Sequence, residues 1–235
     1  MRTKLTAALL VPALALGAAG CGDDDGTTSE AAGDTTTTTE AGLGADACAA
    51  VLGMGQALTS GPDGPPTPEY LEGTVLPAVE AVVAAGAEEL AGPAEDLQAA
   101  VDTALDGGEV DDAAVFGAYS EMAAEAHTGC GFETVDTVAV DYAFEGLPAT
   151  TPAGTTSFAL TNEGTEDHEL VLFRRADGEE RPVEELLALG EEEVGDAVTF
   201  AGVTFAGPGE TAYTAVDLDA GRYAVVCFLP VGGAE

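Results

Sequence analysis

Apolar residues keep two different periods along this chain, and the change between them divides it. Over residues 45–131 they recur at three- and four-residue spacing, as in helices with one buried face, and from Val135 onward they alternate in twos, as in strands. In the first region the spacing predicts a helix over 45–58, stopped by the Gly/Pro-rich stretch 60–66. A second helix follows with Thr67 as N-cap and Pro68 at its first position. Its face is Leu71, Val75, Val79, Val82 and Val83, and Pro77 is expected to kink it, because the ring displaces the carbonyl one turn back. Pro93 is expected to open a third helix, with Leu97, Val101 and Leu105 in line. The fourth begins at Asp111 or Asp112 and carries Val115, Phe116, Tyr119 and Met122. Four short antiparallel helices make a small bundle.

The period-two region predicts a strand over 135–144, with Val138, Val140 and Tyr142 set against Thr137, Ala139 and Asp141. Further strands are expected over 155–161 and 168–174, separated by Asn162-Glu163-Gly164. A short helix over 182–189 is an insertion, and 197–206 reads as a short strand pair. The last two strands, 211–218 and 223–229, are joined by the turn Asp219-Ala220-Gly221. The final one is nearly all apolar, the pattern of a strand buried on both faces, with Tyr223, Val225, Cys227 and Leu229 on one side. Many short strands with regular turn signals argue a β-sandwich. The chain is therefore expected to be α+β, with a helical domain at 45–131 and a β-sandwich at 135–235.

Residues 1–21 have the character of a targeting segment. Arg2 and Lys4 precede an apolar run over 5–16 that is too short to span a bilayer, and Ala18-Ala19-Gly20 leads directly into Cys21 and the acidic Gly22-Asp23-Asp24-Asp25. This resembles a bacterial lipoprotein signal, although Ala18 stands where leucine is commoner. The resemblance implies that Cys21 becomes the diacylated first residue of the mature protein. That places the chain at the cell membrane, lipid-anchored on its extracytoplasmic face, without a transmembrane helix. Residues 22–44, built from Asp, Gly, Glu, Ala and the run of threonines at 35–39, bury too little apolar surface to offset their ordering entropy and read as a disordered tether.

Charge narrows the partners. Six Lys+Arg stand against 43 Asp+Glu, a formal net charge of −37, and the basic residues after the leader are Arg174, Arg175, Arg181 and Arg222. Such a surface repels nucleic acid and anionic headgroups, keeps the protein soluble, and favours cationic partners or metal ions. Nucleic acid is excluded as a partner. The acidic clusters at 179–180 and 191–193 read as solvated faces, and no calcium loop is present. No Ser/His/Asp order, zinc-protease helix or phosphate loop supports an enzyme.

Of the four cysteines, Cys21 is assigned to lipid. Cys48 and Cys130 bracket the helical region, and an exported chain permits their disulfide. Cys227 is left without a partner, for which metal binding is one explanation. His127 and Cys130, three apart, have a spacing that can share a metal; with Cys130 in a disulfide, His127 is left to favour the helix C-terminal dipole.

Asn162-x-Gly164-x-x-x-His168 resembles the segment of cupredoxins that delivers a first histidine ligand, and Pro208-Gly209-Glu210, then Asp219-Ala220-Gly221-Arg222-Tyr223 and Cys227, resembles the part that delivers the cysteine. The resemblance covers about 135–235, and the helical half resembles that of envelope lipoproteins carrying such a domain before a cupredoxin-like one. It implies a Greek-key sandwich and a type 1 copper centre with His168 and Cys227 among its ligands, serving electron transfer to a redox partner protein. In that family a second histidine and a methionine follow the cysteine. Here Cys227 is followed by Phe-Leu-Pro-Val-Gly-Gly-Ala-Glu, which holds neither, and the last strand is missing too. The copper site is incomplete in this chain: either the chain is a C-terminally shortened copper protein, or it keeps the fold without the metal as a binding or scaffold protein of the envelope. An immunoglobulin-like sandwich is the rival, because Asp219-x-Gly221-x-Tyr223 also resembles a tyrosine corner. The missing tryptophan and partner cysteine argue against it.

Overall fold

In the computed structural model, which describes residues 42–61 and 66–230, the first helix (α1) is Ala45–Thr59. The leader, Cys21 and most of the tether lie outside the described residues. Thr67 caps the next segment as expected, its side chain accepting the Tyr70 amide at 3.2 Å. Helix α2 (Pro68–Tyr70) runs through a π turn, Leu71–Val75, into α3 (Leu76–Ala85). The distortion expected at Pro77 takes the form of that π turn, in which the Leu76 amide reaches the Leu71 carbonyl just before the ring. Helix α4 is Glu88–Leu105 and contains Pro93 rather than starting at it. Leu90, only 1% exposed, already anchors the turn before the proline in the core, so the helix begins earlier and gives up one backbone bond. Asp111 caps α5 (Asp112–Gly129), accepting the Ala113 amide at 3.0 Å. Met54, Leu90, Leu97 and Met122 are among the large buried side chains of the helical core. The expected disulfide joins Cys48 to Cys130, with 5.6 Å between Cα atoms.

The second half is a two-sheet sandwich. One sheet has the order β2-β1-β3-β6, from Ala143–Glu145, Glu133–Val140, Gly154–Asn162 and Thr211–Leu218; the other has the order β5-β4-β7, from Val198–Ala206, His168–Arg175 and Tyr223–Val226. Strands β1 and β3 are parallel, and the other pairs are antiparallel. The chain is thus α+β, a disulfide-closed helical bundle followed by a Greek-key sandwich. Among the described residues β7 has β4 as its one neighbour.

Several local expectations are corrected. The strand expected over 135–144 breaks at Asp141–Tyr142 into the hairpin β1–β2. Its buried face is Val135, Thr137 and Ala139, because β1 pairs Val135 with Phe158 and Thr137 with Leu160, both core residues of β3. Tyr142 instead stands 78% exposed, with φ at 71°. Residues 198–206 form one strand, with a register shift opposite Leu172/Phe173, and two short helices precede it, α6 (Val183–Leu186) and α7 (Glu191–Ala197). Strand β7 stops at Val226, and Tyr223, Val225 and Val226 are half-buried rather than enclosed on both faces, as suits a strand with one neighbour.

Helical and strand regions keep separate cores but pack against each other. Strand β6 pairs with β3 along one side, and on its other side the amides and carbonyls of Tyr213 and Ala215 are taken by side chains from elsewhere. The Tyr119 hydroxyl accepts the Ala215 amide at 3.1 Å and lies 3.3 Å from the Ala215 carbonyl. Ser120 Oγ accepts the Tyr213 amide at 2.8 Å, and the Thr204 hydroxyl donates to the Tyr213 carbonyl at 3.3 Å. At these two residues a strand edge that would otherwise be open is satisfied by α5 and β5.

Candidate metal-donor cleft

Asn162, at the end of β3 and fully buried, organises one end of the sandwich. Its side-chain amide donates to the carbonyls of Glu166 (2.7 Å) and Ala206 (2.8 Å), and its Oδ1 accepts the Gly164 amide at 2.8 Å. Its backbone bonds Glu210 and Gly209, which ties in the Pro-Gly-Glu turn. The motif residues Asn162, Gly164 and Gly209-Glu210 therefore act as a scaffold: they fold the loop 163–167 that delivers His168 to the start of β4. Asp141 holds the same loop from the β1–β2 turn, accepting the Thr165 amide at 2.9 Å and its hydroxyl at 3.1 Å. Chiefly through the Thr165 amide, with the Thr165 hydroxyl adding to it, the Asp141 carboxyl is held below its ordinary range against a smaller opposing effect of desolvation.

His168 lies opposite Ala206 and is 8% exposed. Its Nε2 is buried with no hydrogen-bond partner and sits 3.8 Å from Asp141 Oδ1. Cys227 follows β7 as a free, half-buried thiol rather than ending a core strand. The register pairs Leu172 with Val225; carried two residues further, it sets Cys227 beside Leu170, on the side of the sheet that His168 shares by period two. The buried Glu169 carboxylate accepts the Phe228 amide at 2.6 Å, clamping the chain just past the cysteine to the strand that carries the histidine. His168 and Cys227 thus line one cleft of about 330 Å³, with Asp141, Tyr142, Phe144 and Leu229 among its walls.

His127 is placed elsewhere. In the last turn of α5, its Nδ1 is 2.9 Å from Ser157 Oγ, its Nε2 is 3.3 Å from Asp136 Oδ1, and its ring meets Tyr213 edge-on at 5.3 Å. It joins helix to sheet, and Cys130 beside it is in the disulfide, so the two share no metal. Among the described residues no group of three or more His, Cys, Asp or Glu side chains is placed to hold a metal ion. The tyrosine-corner bond is present, the Tyr223 hydroxyl donating to the Asp219 carbonyl at 3.1 Å, but within a strand order that has no second cysteine. Asp141 and Glu169 were not singled out from the sequence. Glu169 had a signal, a lone acid inside the apolar strand His-Glu-Leu-Val-Leu-Phe; Asp141 had none, because its contacts cross a turn and a loop.

No family model matches the chain, and no curated protein does. Solved structures with partial likeness include dithionite-reduced auracyanin from the photosynthetic bacterium Roseiflexus castenholzii, at 19% identity and TM-score 0.31 over 41% of this chain and 85% of that one. Auracyanin B is similar at 18% identity and TM-score 0.27, over 40% of this chain and 76% of that one. The McoA multicopper oxidase from the hyperthermophile Aquifex aeolicus is similar at 14% identity and TM-score 0.22, over 41% of this chain and 26% of that one.

Proposed function

We propose that this chain is an exported cupredoxin-like protein, anchored through lipid on Cys21 at the extracytoplasmic face of the cell membrane. Its His168/Cys227 cleft takes copper and serves electron transfer when donors beyond Glu235 complete the set. The observation that carries this reading is the placing of an imidazole and a free thiol on one side of one sheet, in one cleft. The fit is partial. A type 1 centre takes two imidazoles and a thiolate, and the described residues bring together one of each, so they do not make up that centre by themselves. Copper, when bound, would supply one-electron redox chemistry. The chain's own part is preorganisation: Asn162 and Asp141 hold the loop before His168, and Glu169 pins the backbone after Cys227. On this reading the protein is not an enzyme. Its redox partner would be a protein with a cationic face, given the net charge of −37.

A second reading, a metal-free binding or scaffold lipoprotein of the envelope, is favoured by the lack of a third donor among the described residues. Intact mass and copper content, measured on one sample of the native mature protein, separate the two. About one copper per chain, the stoichiometry of a single type 1 site, with thiolate-to-copper absorption that disappears in Cys227→Ala, is the expected result. A native protein free of copper that stays colourless with Cu(II) sinks the copper reading and leaves the scaffold. A mass without lipid on Cys21 removes the anchor.

A further inference from the structure

We infer that Asp141 is the positioning residue of the cleft: its carboxylate takes the Nε2–H of His168, so that Nδ1, carrying no proton, is the nitrogen offered to a ligand. The inference rests on His168 being the donor of the cleft. It starts from the buried Nε2, which has no hydrogen-bond partner and is 3.8 Å from Asp141 Oδ1, within reach of a small ring rotation. The opposite tautomer would aim a nitrogen lone pair at a carboxylate, which is repulsive, and would leave the proton on Nδ1, blocking it as a ligand.

The surroundings are built for this meeting. Asp141 is fixed by the Thr165 amide and hydroxyl, so its carboxylate cannot swing away freely. Gly164 leaves the room between them: a Cβ there would stand 2.6 Å from Asp141 Oδ1 and 2.8 Å from His168 Nε2. Tyr142, the next residue of the turn that presents Asp141, is the described non-glycine residue with positive φ, at 71°, a conformation that persists where surrounding contacts determine it. Carboxylates behind a histidine commonly set which ring nitrogen faces the ligand.

The test is ¹⁵N imidazole spectroscopy on the mature, metal-free chain. It has two histidines, and His127→Gln assigns the signals. The expected result is an Nε2–H form of His168 with a protected proton resonance. That resonance is lost to solvent exchange in Asp141→Ala and in Gly164→Ala, and kept in Asp141→Asn, whose Oδ1 still accepts; backbone spectra confirm the fold of each variant. An Nδ1–H form in the unaltered protein, or a resonance that survives unchanged in Asp141→Ala, overturns the inference. Because no copper enters this measurement, the metal reading can fail while this one stands, and the reverse.

Discussion

A single hydroxyl, that of Tyr119, closes the two open backbone groups of Ala215 and ties α5 to β6. Burial pushes its phenol up from the ordinary value, consistent with a neutral group among backbone partners. Tyr119→Phe keeps the ring but leaves a buried N–H and C=O unpaired, at roughly 1–3 kcal/mol for each group left unsatisfied. Urea denaturation of the two proteins is expected to show the variant less stable by at least the lower figure. Glu179 makes a second residue-scale prediction. Gripped by the Arg181 side chain and backbone amide, its carboxyl is lowered from 4.5 to about 2. The pair's contribution is present above the ordinary glutamate range and is lost as pH falls from about 4.5 through about 2. Glu179→Gln should therefore flatten the acid limb of the stability curve between those values. An acid limb identical in both proteins contradicts this.

At the scale of elements, the disulfide is the feature most open to measurement. Cys48 and Cys130 are 82 residues apart, and the loop-closure model assigns such a bridge roughly 4–5 kcal/mol, less any strain. Denaturation of Cys48→Ser/Cys130→Ser against the unaltered chain is expected to show a loss of that order; a loss below about 1 kcal/mol would mean the reduced chain keeps much of the bundle's order. The bridge was legible from cysteine number and placing, as were most strands, because Gly, Pro and Asn turns punctuate them. What was not legible depends on partners distant in sequence. The buried face of β1 is chosen by its parallel register with β3, which no alternation of Val138 and Val140 reveals. Pro93 sits inside α4 because Leu90 is held by the tertiary core. His168 and Cys227 could be read from their motifs, whereas Asp141 enters the site through a turn and a loop.

For the whole molecule, a formal net charge of −37 means that folding gathers like charges into a smaller volume. Added salt screens that repulsion over about 8–10 Å at moderate ionic strength. The thermal midpoint is therefore expected to rise between low salt and 0.5 M sodium chloride (an illustrative condition well above ~0.15 M). A flat or falling midpoint would show that the acidic side chains are already spaced or paired enough to be neutral for stability.

The contact of α5 with β6 has a further consequence for self-association. The helices precede the strands in the chain, so during synthesis the cover is made before the edge it covers. Detached from it, a piece beginning at Glu133 would present the free amides of Tyr213 and Ala215 and the free carbonyl of Ala215 to any extended neighbour, and the nearest supply is a second copy of itself. The helical half then acts as an internal chaperone, keeping a strand that could recruit another chain from doing so.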